Sequence, residues 1–158
     1  KEHGMAGSEA LWNSIKEGCL TDPMTGKKIT REKIRMMINI DQIGSTLAPV
    51  DRKREDYIIM LGSQTLDAYQ KDMLLTCNKM YDIGLDISLT YYGSRQFTDL
   101  FWKISDQKIF ADNRIPAVMF TSGITMNNNK LRDKVSTLNM EVLQKRIYLI
   151  YHWIERML

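Results

Sequence analysis

An acidic residue that directly follows an apolar run is the clearest candidate for chemistry in this sequence. Asp41 comes straight after residues 37–40 (MINI) in the stretch NIDQIGS. A carboxylate in such surroundings costs several kcal/mol of desolvation unless a cation, a helix N-terminus or hydrogen bonds compensate. A metal ion would be one such cation, and backbone donors of the turn at Gly44 and Ser45 are the alternative. Asp41 is therefore either a metal ligand or an acceptor of backbone hydrogen bonds from the turn that follows it.

The first seven residues, KEHGMAG, combine ionisable side chains with a glycine turn. Ordinary N-termini are polar, mobile and dispensable, so a stretch with this composition is more typical of the interior of a chain. In the alternative interpretation Glu2 and His3 are a solvated end, and Gly4 and Gly7 lead into a helix capped by Ser8.

Other reactive residue types carry weaker signals. Ser105 stands where a helix cap is expected, and residues 127–129 (NNN) are typical of a solvated turn. His152 lies inside the last helical pattern without a second histidine, so we expect a structural role for it. Cys19 and Cys77 form no CxxC pair, which favours two buried free thiols over a disulfide or a zinc knuckle.

Composition narrows the classes of partner. The chain has 158 residues, 44% hydrophobic and 26% charged, with a formal net charge of +3. These values are typical of one globular domain, and the mixed charges give no electrostatic case for binding nucleic acid. No apolar stretch approaches the ~20 residues that span a bilayer, and no signal peptide stands at Lys1. We expect a secreted or periplasmic protein if a signal peptide precedes Lys1.

The elements that must position these residues follow from apolar periodicity. Their order, α, β, β, α, β, α, β, α, is typical of an α/β three-layer sandwich with helices on both faces of a largely parallel or mixed sheet. We expect a single domain. The predicted helices cover residues 9–17, 65–82, 105–113 and the segment that follows Asn139, and the predicted strands cover residues 35–44, 56–63, 85–92 and 117–123.

Two details of these elements can be tested against the structure. The strand at 35–44 is apolar enough to be covered on both faces. The last helix should bury one continuous stripe and start at an Asn139 cap. The stripe consists of Met140, Leu143, Ile147, Ile150, Ile154 and Met157.

Four stretches together resemble a known family. EHGMAGS resembles the E-E-x-G-x-x-G-S signature of the zinc aminopeptidases of metallopeptidase clan MH, and NIDQIGS resembles their N-x-D-M-x-G strand end. SDQKIFADNRIPAVMFTSG is similar to their S-D-H-x-x-F-x-x-x-G-I-P-A-V stretch. NKLRDKVSTLNMEVL is similar to their H-T-x-x-D-T-x-D-x-I segment. The four occur in the family's order and cover essentially the whole chain.

The resemblance implies a fold and a chemistry. The family has an α/β sandwich with two zinc ions at the strand ends, held by His, Asp and Glu ligands, and a glutamate that acts as general base. Zinc held by such ligands with an open position lowers the pKa of its water and polarises the scissile carbonyl. The family's enzymes remove N-terminal residues from peptides, so the implied partner is the N-terminal amino group of a polypeptide.

The family's site transfers to this sequence with substitutions. Glu2 matches the metal-binding glutamate, and Asp41 matches the second metal-binding aspartate. Lys1 stands in the place of the general base, where an ammonium group cannot accept a proton at neutral pH. Asn129 stands in the place of the last histidine ligand, and an amide is a poor zinc ligand. Gln107 replaces the histidine of S-D-H.

Two function classes follow from this resemblance. One is a zinc-dependent aminopeptidase-like domain with a degraded active site, and the other is a non-catalytic relative that binds peptides or proteins, as the transferrin receptor does within the family. The resemblance also implies that residues 1–158 are the C-terminal portion of a single exopeptidase-like domain. The sheet edge at residues 35–43, or that of a neighbouring strand, would then be open, so we expect the chain made alone to be unstable or to form a homo-oligomer.

Overall fold

The computed structural model describes residues 4–45 and 55–158, which form a mixed four-stranded sheet between two helical layers. The strands are β1 (Met37–Ile40), β2 (Tyr57–Leu61), β3 (Asp86–Ser88) and β4 (Ala117–Thr121). The helices are α1 (Ala6–Lys16), α2 (Ala68–Met80), α3 (Arg95–Lys103), α4 (Gln107–Asp112) and α5 (Met140–Met157).

The sheet order is β1-β4-β2-β3. β1 is parallel to β4, with Met37 opposite Ala117, and β3 is parallel to β2. β2 runs antiparallel to β4, with Met60 opposite Phe120. The predicted three-layer α/β sandwich is confirmed, and the sheet is mixed rather than parallel throughout.

Hydrophobic residues fill both faces of the sheet. On one face, alternate residues of β2 and β4 pack against α2 and α5, including Val118 and Phe120 against Trp153. On the other face, α1 and α4 cover Ala117 through Trp12 and Phe110, and Trp102 and Phe101 of α3 cover Met119 and its neighbours. β2 and β4 are buried along their whole length, so the two central strands hold the layers together.

β1 differs from the prediction for residues 35–44. Its residues are half-buried and Ile40 is 50% exposed, because β1 pairs with β4 on one side and lies at the edge of the sheet in the described part of the chain. Edge strands receive cover from fewer neighbours than central strands, which accounts for the difference.

Two predicted helix caps are wrong. Helix α1 starts at Ala6 rather than at residue 9, so Ser8 lies within its first turn, where its hydroxyl donates to the Met5 carbonyl and to Asp106. The Ser105 hydroxyl donates to the Met119 sulfur at 3.2 Å instead of capping α4. The predicted Asn139 cap is confirmed, since its side chain accepts from the Val142 amide at 3.2 Å.

Further differences concern α3, α5 and Cys19. Helix α3 was not predicted from the sequence; it starts at Ser94, whose side chain accepts from the Phe97 amide. The stripe predicted for α5 is only partly buried, because Met140 and Ile147 point outwards at 63% and 48% exposure. Cys77 is buried as expected, whereas Cys19 is exposed, and both are free thiols.

Candidate functional site

Asp41 is held at the carboxyl end of β1 by an extension of the β1–β4 ladder. Its amide donates to the Phe120 carbonyl at 3.0 Å. The Gln42 carbonyl then accepts from both the amide and the hydroxyl of Ser122, at 2.9 and 2.5 Å. These bonds exist because β1 and β4 are parallel and end together. The Asp41 backbone is therefore fixed beside the end of a fully buried strand.

The backbone around Asp41 adopts uncommon conformations. Gln42 and Met5 both have left-handed backbones, with φ of 57° and 63°, and Gly123 has a φ of 92°. A left-handed conformation costs a non-glycine residue about 1–3 kcal/mol and persists only where surrounding contacts enforce it. Such residues concentrate at functional sites, so their grouping here supports Asp41 as part of a site.

A cavity of about 410 Å³ opens beside Asp41. Its walls are mainly apolar, and Asp41 and Lys103 are the only charged side chains among the described residues that line it. Because Gly4 and Met5 also line it, the start of the described chain reaches the same place as the end of β1. The lining residues are Gly4, Met5, Asp41, Gln42, Tyr91, Phe101, Lys103, Ile104, Ser105, Met119, Thr121, Ile124 and Asn128.

Two aromatic residues, Tyr91 and Phe101, line this cavity, and Tyr92 packs beside Tyr91. Tyr91 is buried, its ring stacks on Phe101 with 4.0 Å between ring centroids, and its hydroxyl accepts from the Ile124 amide at 2.8 Å. The Tyr92 hydroxyl packs against Gly123, where a side chain would collide with it. Burial raises the pKa of both phenols above the usual range. None of these aromatic residues was predicted from the sequence to belong to a site.

Tyr92 should make stability depend on alkaline pH. A phenol with a raised pKa holds its proton more tightly in the folded state, while the unfolded phenol titrates near pH ~10. The contribution of Tyr92 to the free energy of unfolding is therefore complete below about pH 10, and it is lost as the pH rises towards the pKa of the folded state. Tyr92→Phe should flatten the fall in urea midpoint between about pH 9 and pH 11. The exposed Tyr69→Phe control should retain the wild-type slope, and equal slopes for both variants would contradict the assignment.

The structure describes two of the four predicted site residues, Asp41 and Asn129. Lys1 and Glu2 lie outside the described residues. Asp41 lines the cavity, whereas Asn129 lines a separate recess formed by residues 126–127 and 129–132. Asn128 reaches the cavity instead, and its side-chain oxygen accepts from the Gln42 side-chain nitrogen Nε2 at 2.6 Å. The assignment of Lys1, Glu2, Asp41 and Asn129 to one metal centre stays a prediction.

Asp106 and Gln107 of the S-D-Q segment connect secondary-structure elements and do not line the cavity, whereas Ser105 does. Asp106 accepts from the Ser8 hydroxyl at 2.9 Å, which ties α4 to α1. Gln107 is fully buried, accepts from the Asn39 side chain at 3.1 Å and donates to the Trp102 carbonyl at 3.3 Å. An uncharged amide suits this position because both partners are themselves uncharged.

His152 lies on α5, does not line the cavity, and packs against the C-terminal end of α2. Its ring stacks on Tyr81 with 3.6 Å between centroids, and Nδ1 lies 3.2 Å from a Glu155 carboxylate oxygen. These contacts agree with the structural role expected for it.

The described residues do not supply the donors of a two-zinc centre. Within residues 4–45 and 55–158, no three His, Cys, Asp or Glu side chains come together in a metal-binding arrangement. The remaining polar groups that line the cavity include amides and hydroxyls, which are weak ligands for zinc. Asp41 alone among the described lining residues has the donor chemistry that zinc prefers.

Comparison with solved structures identifies the class of fold. The chain has the fold of zinc aminopeptidases, as the sequence resemblance predicted. No protein-family model and no curated protein sequence matches it.

Three solved structures illustrate the similarity. LapA aminopeptidase of Legionella pneumophila aligns with 96% of this chain at a TM-score of 0.64 and 15% identity. BSAP, a zinc aminopeptidase from Bacillus subtilis, aligns with 97% of this chain at a TM-score of 0.64 and 15% identity. An aminopeptidase from Aneurinibacillus sp. strain AM-1 aligns with 96% of it at a TM-score of 0.60 and 17% identity. The chain spans 36%, 32% and 30% of those three chains, about a third of their length.

Proposed function

We propose that this aminopeptidase-like domain binds the N-terminal residue of a peptide in the cavity beside Asp41 and hydrolyses it weakly or not at all. The observation that carries the proposal is the chemistry of the cavity, in which one positioned carboxylate, Asp41, stands among mainly apolar walls, with Lys103 as the other charged side chain among the described lining residues. We further propose that the chain is part of a larger exopeptidase-like domain, since the solved chains with this fold are about three times as long.

The cavity suits a free α-ammonium group attached to an apolar side chain. The ammonium is attracted to the Asp41 carboxylate, and this attraction exceeds its value in water where the walls reduce the local dielectric. The apolar side chain would lie against Phe101, Met119 and Ile124. Burial of apolar surface contributes about 25 cal/mol per Å², so a leucine-sized or larger side chain is favoured.

Weak or absent hydrolysis is supported by the substituted positions of the resemblance. Lys1 cannot act as a general base while it is protonated, and Asn129 replaces a histidine ligand with an amide. Loss of a base or ligand removes most of the rate of a metal-dependent hydrolase. We therefore favour binding without efficient turnover.

A zinc-dependent aminopeptidase is the second candidate function. Asp41 favours it, because its place at the end of β1 and on the cavity wall suits a metal ligand. Glu2 matches a ligand of the family in sequence and would supply another carboxylate.

Peptide binding and metal content distinguish the two candidates. Calorimetric titration should show that Leu-Gly-Gly binds and that N-acetyl-Leu-Gly-Gly, which lacks the ammonium, binds at least tenfold more weakly. Metal analysis should find zinc far below one ion per chain, and leucine p-nitroanilide should not be hydrolysed. Stoichiometric zinc with chelator-sensitive hydrolysis would establish the second candidate, and equal binding of the two peptides would refute the first.

Asp41→Asn tests directly whether Asp41 is a metal ligand. If it is only a hydrogen-bond acceptor, the change in melting temperature caused by the substitution should be the same with chelator and with added zinc. If it is a ligand, zinc should raise the melting temperature of the wild type and not of the variant. We expect the first result. Asp72→Asn, which removes an exposed carboxylate of α2 that does not line the cavity, serves as the control for the effect of charge.

A further inference from the structure

The segment between β4 and α5 carries three positively charged side chains that have no acidic partner in the described part of the chain. We call residues 126–135 the cationic loop. Lys130, Arg132 and Lys134 are all exposed there, and Asp133 is the one acidic residue among them. No carboxylate of the described residues lies within ion-pair distance of these three, whereas lysines on α4 and α5 do have such partners. The three charges are therefore available to a ligand.

The cationic loop adjoins the cavity beside Asp41. Asn128 lines that cavity, where its side-chain oxygen accepts from Gln42 Nε2 at 2.6 Å. Lys130 follows two residues later, so its Cα atom lies at most ~7 Å from that of Asn128. The Lys130 amide donates to the Asn127 carbonyl at 3.0 Å, which folds this part of the loop into a turn. A ligand that extends out of the cavity on this side meets the cationic loop next.

A recess of about 620 Å³ lies within the cationic loop itself. Lys130 and Arg132 line it together with Met126 and Leu131, which are 78% and 97% exposed. Both chain neighbours of Asn128 line it as well, so the recess begins where the cavity wall ends. Walls that are cationic and apolar complement a ligand that is acidic and apolar.

The position of the recess favours a peptide over other anions. The function proposed for the cavity places the first residue of a peptide beside Asp41, and an extended chain advances ~3.3 Å per residue. The second to fourth residues of such a peptide therefore extend over ~10 Å beyond the cavity and reach the recess. Nucleic acid is a poorer match, because residues 126–135 include no aromatic side chain on which a base could stack.

We propose that the cationic loop selects peptides that carry acidic side chains directly after an apolar N-terminal residue. The inference rests on the function proposed for the cavity and names the class of peptide that the site prefers. Lys130 and Arg132 determine this specificity, because they line the recess that adjoins the cavity. Lys134 adds to the attraction at longer range.

Calorimetric titration with amidated peptides tests the preference. Leu-Glu-Glu-amide should bind roughly fivefold more tightly than its uncharged isostere Leu-Gln-Gln-amide at low salt, since two exposed ion pairs contribute modestly. The difference should disappear in about 0.5 M sodium chloride, where charges are screened over a few ångströms. Equal affinities for the two peptides at low salt would overturn the proposal.

Two double variants test the residues assigned to this preference. Lys130→Gln with Arg132→Gln should bind both peptides equally and keep the wild-type affinity for Leu-Gln-Gln-amide. Lys130→Glu with Arg132→Glu should instead prefer Leu-Lys-Lys-amide.

Lys27→Gln with Lys28→Gln is the matched control for these variants. It removes two exposed cations that line neither the cavity nor the recess, so it should retain the preference for glutamate. Loss of the preference in this control as well would assign it to the net charge of the protein and overturn the proposal.

Further measurements separate this inference from the function proposed for the cavity. If acetyl-Leu-Glu-Glu-amide binds as tightly as the free peptide and glutamate is still preferred, the function of the cavity is refuted and the cationic loop is supported as the acidic-peptide site. Absence of binding by every peptide would overturn both. Binding to phosphatidylserine vesicles that Lys130→Gln with Arg132→Gln abolishes, without any preference among the peptides, would identify a lipid-binding surface and overturn the proposal.

Discussion

Replacing Arg146 with methionine should lower the free energy of unfolding by about 3 kcal/mol. The guanidinium is buried and donates to the Tyr57 carbonyl at 2.8 Å, the Ile43 carbonyl at 2.7 Å and the Ser45 carbonyl at 3.2 Å. Hydrogen bonds from a charged donor contribute about 1.5–3 kcal/mol each, and buried acceptors left unpaired cost about 1–3 kcal/mol. Desolvation offsets part of this gain, and burial lowers the pKa of Arg146 below its usual value.

The same substitution should also loosen the segment that carries Asp41. Arg146 holds Ile43 and Ser45, which follow Asp41 along the chain. Peptide binding should therefore weaken in Arg146→Met even under conditions where the variant is folded. Urea denaturation and calorimetry provide the two measurements. Arg156→Met is the control, since that exposed arginine donates to the Tyr81 hydroxyl and its substitution should change the free energy of unfolding far less than Arg146→Met.

Replacing Gly62 with alanine should destabilise the protein by a similar amount, about 3 kcal/mol or more. Gly62 has a φ of 96°, and a Cβ atom there would lie 2.6 Å from the Trp102 ring and still closer to the Ala117 carbonyl oxygen. The left-handed backbone costs alanine about 1–2 kcal/mol. The collision adds to this cost, because a central strand cannot shift without disturbing its neighbours.

Gly84→Ala separates the two contributions. Gly84 also has a positive φ, 71°, but a Cβ atom there would meet nothing within 4 Å. Gly84→Ala should therefore lower the free energy of unfolding only by the cost of the left-handed backbone, about 1–2 kcal/mol. Thermal unfolding of the two variants measures the difference, and equal losses at Gly62 and Gly84 would show that β4 yields to the added methyl group.

The layers of the fold could be predicted from the sequence because the central strands are long apolar runs. β2 and β4 were predicted for this reason and are buried throughout. The direction of β2 could not be predicted, since burial on both faces leaves the same pattern in a parallel and an antiparallel strand. Gly62 and Ser63, which follow β2, consequently lie at the opposite end of the strands from Asp41, although Asp41 also follows an apolar run.

The candidate site was predictable only where charge interrupts an apolar run. Asp41 was recognised in this way, whereas Tyr91, Phe101 and Asn128 became part of the site through tertiary placement. No local periodicity marks residues that come together from separate loops. Similarly, α5 has apolar residues on more than one face, so its sequence alone did not determine which face is buried.

The pairing of β1 with β4 has a consequence for the order of folding. Met37 and Ala117 are partners although about 80 residues separate them in the chain. Closing so long a loop is entropically costly and slows folding, which is typical of topologies rich in distant contacts. Since Asp41 lies at the end of β1, the cavity is completed only when this closure occurs. Intermediates in which β2 and β3 have already paired with their helices would not bind ligand, so recovery of binding after dilution from denaturant would report the final step of refolding.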